Sequence, residues 1–266
     1  MLKQFLIAPL LALAATGAVA QDNPLTESAT WAELGNDFID VATVQDGANL
    51  FTVSAPYRAH DAATVPVAIT QADGAPLIHS ALVIIDENPA PLAAAFTFGE
   101  AMTPLDLAFR VRVNQYSNLR VIANTASGSF MAGRFVKASG GCSAPASRDP
   151  QMALDTMGEM RLREFDQTAS ASGQRREAQI MIRHPNYSGL QRDQITQLFI
   201  RAHFIDTLEV YQGDDMLFRM EGGISISENP VFRFSYRDNG AATFHIRAHD
   251  TAGNLFEQSL HKASAS

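Results

Sequence analysis

Apolar and polar side chains alternate with a period of two residues along much of the chain, and this pattern constrains the fold most strongly. In the clearest run, over residues 107–114, four apolar side chains alternate with Ala108, Arg110, Arg112 and Asn114. Comparable runs begin near residues 65, 92, 207, 232 and 244. Such alternation is typical of β-strands that have one face in a core and the other in water. The sequence therefore predicts a mostly β protein whose exposed sheet faces carry Arg110, Arg112 and Arg120.

The predicted strands fall into two groups, over residues 49–136 and 180–260. Between the groups, an Asp-Pro start and apolar residues spaced by three predict a short helix over 149–165. The small and polar residues of 167–174 then predict a linker. We therefore expect two immunoglobulin-like β-sandwich domains joined by a cysteine-bearing loop, a short helix and a linker.

The first twenty residues have the three parts of a secretory signal peptide. Lys3 precedes an apolar run from Phe5 to Ala15, and Ala18-Val19-Ala20 fits the A-x-A cleavage motif. The apolar run is too short to span a bilayer comfortably. We expect residues 1–20 to be removed, leaving an exported chain that begins at Gln21 and has no membrane span.

A short helix is predicted ahead of the first strands. Thr30 and Glu33 have the spacing of a capping box, which predicts a helix through Phe38. We expect this helix to pack Trp31 and Phe38 against the domain that follows.

Charge excludes one class of partner. The chain carries 20 Lys and Arg against 28 Asp and Glu, for a net charge of −8. It contains no cluster of basic residues that could bind successive phosphates, so we expect no nucleic-acid partner.

Cys142 is the only cysteine, and it lies in the stretch S-G-G-C-S-A-P-A at residues 139–146. Gly140 and Gly141 widen the backbone conformations available, and the small residues around them offer no hydrophobic anchor. A single cysteine in an exported protein cannot form an internal disulfide, so it is either reactive or pairs between molecules. We expect an exposed, mobile loop and a thiol of nearly ordinary pKa. The alternative is a cysteine buried as a small apolar side chain.

Other candidate sites are weaker. His203, His245 and His249 could form a metal cluster, although histidines exposed on a strand are the favoured interpretation. The acidic residues of 86–89 precede Asn-Pro and predict a loop between strands. The sequence contains no nucleophile elbow, P-loop or dinucleotide fingerprint. We therefore expect no enzyme activity, no cofactor and no metal.

Several short motifs resemble two families of sulfur-oxidation proteins. T-V-P-V-A-I at 64–69, D-E-N-P at 86–89, D-L-A-F-R-V-R-V at 106–113 and V-K-A-S-G-G-C at 136–142 resemble SoxY, the sulfur-carrier subunit of periplasmic thiosulfate oxidation. R-H-P at 183–185, S-x-N-P at 227–230 and D-x-x-G at 250–253 resemble SoxZ, the partner of SoxY. A fusion in this order is similar to the quinoprotein dehydrogenase-associated SoxYZ-like carriers.

The resemblance implies a domain division and one functional position. Residues 21–142 would form a SoxY-like sandwich with an N-terminal helix and a cysteine arm, and 143–174 the loop, helix and linker. Residues 175–266 would form a SoxZ-like sandwich. Cys142 would be the point of covalent attachment, with Gly140 and Gly141 making the arm flexible. The chain departs from SoxY because residues follow the cysteine, so the arm would enter a partner as a loop.

The function implied is that of a periplasmic carrier protein without catalytic activity of its own. It would hold a sulfur-containing or related intermediate on Cys142 for periplasmic oxidoreductases, among them quinoprotein dehydrogenase or c-type cytochrome components. One alternative is a non-covalent binding module of two immunoglobulin-like domains in which Cys142 is incidental. An enzyme with Cys142 as nucleophile is a further alternative, but no base lies near it in the sequence.

Overall fold

A computed structural model describes residues 23–145, 150–165 and 175–262. The predicted signal peptide and the predicted linker lie outside these residues. Helix α1 spans Ala29–Phe38 and helix α2 spans Pro150–Asp155, with single turns of 3₁₀ helix at Val41–Thr43 and Glu100–Met102. Within the described ranges, neither helix has the length and apolar character that a transmembrane span requires.

The remaining elements are β-strands. Those of the first half, residues 23–145, are β1 (Gln45–Asp46), β2 (Phe51–Ser54), β3 (Val65–Gln71), β4 (Ser80–Ile85), β5 (Leu92–Phe98), β6 (Asp106–Val111), β7 (Ser117–Thr125) and β8 (Gly128–Val136). Those of the second half, residues 150–262, are β9 (Met160–Phe165), β10 (Arg175–Ile182), β11 (Ile205–Gln212), β12 (Asp215–Gly222), β13 (Val231–Arg237), β14 (Thr243–Asp250) and β15 (Leu255–His261).

Each of the two sheets takes strands from both halves of the chain. The nine-stranded sheet has the order β1-β8-β7-β4-β5-β12-β11-β14-β15, and the six-stranded sheet has the order β2-β3-β6-β13-β10-β9. The halves meet where β5 pairs with β12, placing Phe98 opposite Phe218, and where β6 pairs with β13, placing Leu107 opposite Phe234. The predicted mostly β sandwich class is confirmed, and the sheets run unbroken from one half into the other.

Aromatic side chains from both halves fill the core at this junction. Phe96 and Phe109 come from the first half, and their ring centroids are 5.2 Å apart. Phe232, from the second half, lies 6.4 Å from both of these rings and 5.8 Å from Phe218. One hydrophobic core therefore extends through both halves.

Helix α1 confirms the N-terminal helix, with its cap two residues earlier than predicted. The Ser28 hydroxyl, rather than Thr30, accepts a hydrogen bond from the Trp31 amide at 3.0 Å. The guanidinium of Arg120 packs over the ring of Trp31, with the Arg120 Cζ 4.5 Å from the ring centroid. Phe38 lines a small gap together with Ile84. The helix therefore covers part of one face of the nine-stranded sheet, over β4 and β7.

The prediction of a helix reaching Phe165 is wrong. Helix α2 ends at Asp155, and β9 follows, pairing antiparallel with β10. Gly158 lies between them with a φ of +89°, in the left-handed region that favours glycine and ends helices. Beyond it the side chains alternate between inward and outward, which is a strand pattern that the three-residue methionine spacing obscured.

The prediction of three water-exposed arginines is also wrong for two of them. Arg110 is exposed, but Arg112 is 1% exposed and Arg120 is 4% exposed. The Arg120 Nε donates to Asp86 Oδ1 at 2.9 Å, in an ion pair that helix α1 covers through Trp31. Arg112 is enclosed because the second half of the chain packs over the end of β6. The alternation along a strand shows which side chains share a face, but it does not show whether another part of the chain covers that face.

Candidate functional site: the docked cysteine arm

The cysteine arm, residues 138–145, leaves β8 and folds back along the chain that follows β6. The Gly140 amide donates to the Asn114 carbonyl at 2.8 Å, and the Gly141 amide donates to the Val113 carbonyl at 3.0 Å. Gly140 has a φ of +79°, which suits glycine. The arm is therefore held on the first half by backbone hydrogen bonds.

Gly141 lies where only a hydrogen atom fits. A Cβ built on this residue would be 2.1 Å from the Ala62 carbonyl oxygen and 2.6 Å from that of Val113. Both oxygens belong to the backbone and cannot move aside cheaply. In the docked arm, the absence of a side chain at Gly141 therefore allows its backbone to pack directly against the backbone of Ala62 and Val113.

The Cys142 thiol is buried, with 0% of the residue exposed. The second half closes over it: the Ser188 hydroxyl donates to the Cys142 carbonyl, and Gln191 Nε2 donates to the Ala144 carbonyl at 3.1 Å. The prediction of an exposed, mobile loop is therefore wrong for this structure. The small side chains around Cys142 offer no hydrophobic anchor, but they allow the arm to fit between the two halves.

Arg112 joins the arm to both halves. Its Nη1 donates to the Gly141 carbonyl at 3.2 Å, and its Nη2 reaches the Asn186 carbonyl at 3.4 Å. Its Nε is buried and has no hydrogen-bond partner among the described residues. The guanidinium thus lies beside the cysteine with part of its donor capacity unused.

Burial also determines the protonation of the thiol. It raises the pKa of Cys142 to about 11, and the positive charge of Arg112 offsets only part of this effect. The predicted ordinary pKa is therefore wrong for the docked arm. The docked thiol is protonated at neutral pH and is a poor nucleophile, because the thiolate is the reactive form. An unfolded or undocked cysteine loses its proton first as the pH rises, so the docked state loses stability between about pH 8.5 and 11.

Asn88 supports the site from the loop that follows β4. Its Nδ2 donates to the Arg112 carbonyl and to the Ser225 hydroxyl, both at 2.8 Å, and its Oδ1 accepts from the Asn114 amide at 2.8 Å. Asn88 is 5% exposed. The prediction of a loop at residues 86–89 is confirmed, but no local pattern indicates that its asparagine joins the two halves.

Histidine and aspartate side chains gather at a second place, near the end of β14. His203 Nε2 is 2.7 Å from Asp250 Oδ2, and His184 Nε2 is 3.4 Å from the same oxygen. The ligand atoms of these three residues lie within 4.8 Å of one another. His184 Nδ1 accepts from the Asn186 amide at 3.1 Å, so the neutral ring carries its proton on Nε2. That proton points at Asp250 and leaves no lone pair there for a metal.

The predicted cluster of His203, His245 and His249 is therefore not formed, and His249 is exposed. His203 belongs to this group, but His245 lies elsewhere, with its Nε2 2.8 Å from Glu257 on the neighbouring strand. Burial lowers the pKa of His184. Burial alone would raise the pKa of Asp250, but hydrogen bonds from Asn254 and His203 outweigh it and hold that pKa well below its usual range. The group is a hydrogen-bonded clasp that fixes the turn after β14.

The loop that holds the arm also carries exposed apolar side chains. Ser188 and Gln191 begin this loop, and a few residues later Ile195 is 92% exposed, Leu198 is 70% exposed and Phe199 is 62% exposed. Neighbouring apolar side chains at this exposure are unusual on a protein that acts alone. We call Ile195, Leu198 and Phe199 the apolar tip.

Each half of the chain matches one protein-family model. The family model of the sulfur oxidation protein SoxY matches residues 36–142, so its last matched residue is Cys142, and that of the sulphur oxidation protein SoxZ matches residues 163–261. Among solved structures, the sulfur carrier protein SoxY from Chlorobium limicola f thiosulfatophilum is similar, with 24% identity and a TM-score of 0.34. That match covers 40% of this chain and 96% of the other. No curated protein matches the chain.

Proposed function

Because this chain joins a SoxY domain to a SoxZ domain, we propose that it is a carrier protein that holds a sulfur-containing or related intermediate covalently on Cys142. One observation carries the proposal: the SoxY match ends on the only cysteine of the chain, at the tip of an arm that lies between the two domains. The family names suggest the oxidation of sulfur compounds as the process that the cargo belongs to, and thiosulfate oxidation is the process that the sequence resemblance implies.

The arm has to leave its docked position between the two halves, here called its seat, before a partner enzyme can load Cys142. The buried thiol is protonated at neutral pH and inaccessible to a partner enzyme. The arm is held mainly by hydrogen bonds, each of which contributes only about 1 kcal/mol net. Gly140 and Gly141 supply the backbone freedom for the movement between docked and undocked states.

The thiol lacks the surroundings of a catalytic nucleophile. Arg112 is the only charged group whose field acts on the Cys142 pKa in the described part of the chain, and an arginine cannot serve as a base. This supports a protein that is the substrate of partner enzymes and has no catalytic activity of its own.

Partner oxidoreductases of the periplasm complete the proposal, including quinoprotein dehydrogenase or c-type cytochrome components. The signal-peptide pattern of residues 1–20 supports the location. The apolar tip supports docking beside the arm, because it belongs to the loop whose Ser188 and Gln191 hold residues 142–144. A partner that binds the tip could thus release the arm where it is needed.

The alternative of a non-covalent binding module has one observation in its favour. An open cleft of about 880 Å³ lies along the six-stranded sheet, lined by small side chains and by Arg110, Arg134 and Arg233. A cleft with this lining suits an anion. In that case Cys142 would be incidental to function.

Replacement of Cys142 by serine separates these two functions. For a carrier, Cys142→Ser is expected to abolish every covalent adduct and all turnover by the partner enzymes, because serine cannot form a disulfide-type bond to sulfur. The measurement is sulfur-compound oxidation by cells that produce either protein. Full oxidation activity in the serine variant at equal protein levels would favour the binding module and contradict the carrier.

A further inference from the structure

We propose that Arg112 recognises the negative end of an anionic adduct on Cys142, so that the seat of the arm prefers adducts such as a persulfide, thiosulfonate or sulfonate over neutral ones. The inference rests on the proposed function, since it concerns the cargo of the same cysteine. Arg112 acts as a binding and positioning residue and takes part in no covalent step.

The first support is that the buried guanidinium forms no ion pair among the described residues. Arg112 is 1% exposed, and both acceptors of its hydrogen bonds in the described part of the chain are neutral carbonyls. Burial of a cation that is not directly ion-paired is unfavourable. The buried position therefore makes sense if an anion occupies it for part of the working cycle.

The second support is the unused donor capacity. A guanidinium carries five N–H groups in a fixed plane, and the Gly141 and Asn186 carbonyls use two of them. The Nε–H is buried and has no partner among the described residues. This planar fork matches the oxygens of an oxoanion or the terminal sulfur of a persulfide, and charge-assisted hydrogen bonds are stronger than neutral ones.

The third support is the position of the guanidinium next to the thiol. Arg112 binds the carbonyl of Gly141, the residue before Cys142, and its field acts on the sulfur. Glu228 and Asp61 are the other acidic groups whose charges act on Arg112. Burial raises the pKa of Glu228 and the positive charge of Arg112 opposes this rise, so the two groups attract each other, but no ion pair joins them among the described residues.

The test compares one anionic and one neutral adduct on the same cysteine. Tetrathionate loads the anionic adduct: the Cys142 thiolate attacks a central sulfur, forms Cys–S–S–SO₃⁻ and releases thiosulfate, so no further oxidant is needed. Methyl methanethiosulfonate loads the neutral Cys–S–S–CH₃ adduct and releases methanesulfinate. Intact-protein mass confirms complete loading in both cases.

The measurement is the rate at which dithiothreitol removes each adduct from the folded protein. We expect Arg112→Gln to accelerate loss of the anionic adduct about tenfold or more, which is the effect of one charge-assisted hydrogen bond. Loss of the neutral adduct is expected to change less than about twofold. Arg112→Lys keeps the positive charge but not the planar set of N–H donors. Its rate of loss of the anionic adduct is expected to lie between those of the wild-type protein and Arg112→Gln. Arg110→Gln, an exposed arginine two residues away on the same strand, is the matched control and is expected to change neither rate.

Two outcomes would overturn the inference. Equal acceleration for both adducts would show that Arg112 only maintains the packing of the arm, and no acceleration for either would show that it does not hold the adduct. If Arg112→Gln does not fold, the ratio of the two rates in Arg112→Lys decides in the same way. Because loading is chemical, a failure here is distinct from a failure of the carrier proposal, which depends on adducts formed in the cell.

Discussion

Replacement of Gly141 by alanine is expected to drive the cysteine arm out of its seat and raise the rate of Cys142 alkylation at neutral pH on the order of 100-fold. The added Cβ would come within 2.1 Å of the Ala62 carbonyl oxygen and 2.6 Å of the Val113 carbonyl oxygen, so the arm cannot dock as it does now. Its thiol would then lose the burial that raises its pKa to about 11 and return toward an ordinary value near 8.5. Reaction with iodoacetamide, followed by intact-protein mass, measures the rate.

The matched control for Gly141→Ala is Gly74→Ala. Gly74 has a positive φ of +71°, and no atom lies within 4 Å of the position of its Cβ, so an added methyl group meets no neighbour there. This control is expected to lose about 1 kcal/mol of stability from backbone strain and to leave the alkylation rate unchanged. Equal alkylation of wild-type and Gly141→Ala protein would show that the buried arm is not the dominant state in solution.

Truncation of Phe232 to alanine is expected to lower the free energy of unfolding by about 3–5 kcal/mol. Phe232 is 1% exposed and packs against Phe96 and Phe109 of the other half as well as Phe218 of its own. The cavity left by the ring would weaken the core that both halves share. Urea denaturation should still show one transition, at a lower midpoint, because the sheets continue through the junction.

Phe199→Ala is the matched control for Phe232→Ala, since the same ring is lost from a side chain that is 62% exposed. Its free energy of unfolding is expected to change by less than about 0.5 kcal/mol. Two separate transitions in the wild-type protein, or a loss below about 1 kcal/mol in Phe232→Ala, would contradict a shared core.

The strands could be predicted because each needs only local information. The alternation over residues 65–71 and 232–236 reports one buried face whatever the partner strand is. Strand β9 was missed because its methionine also fits a helical spacing, and the break depends on the φ of Gly158. The junctions between β5 and β12 and between β6 and β13 could not be predicted, since strand edges leave no mark in the alternation.

The candidate site was found by its cysteine but not by its environment. Composition around Cys142 indicates a flexible loop, whereas burial depends on Ser188 and Gln191, more than 40 residues further along the chain. The alternation correctly predicts that Phe109 faces the core, but it also predicts that Arg112 is exposed to water, and Arg112 is buried. The second half of the chain covers the end of β6, and no local pattern reports that. Long-range packing therefore decides what the thiol and the guanidinium can do.

Intact-protein mass of the chain purified without reductant from cells that oxidise sulfur compounds tests the carrier proposal most directly. A carrier is expected to show a population heavier than the free-thiol protein by one or more sulfur-containing groups, which dithiothreitol removes and peptide mass maps to Cys142. The Cys142→Ser protein, purified in parallel, should show the unmodified mass alone. A single unmodified mass for the wild-type protein, before and after reductant and throughout active oxidation, would contradict the proposal that Cys142 carries the intermediate.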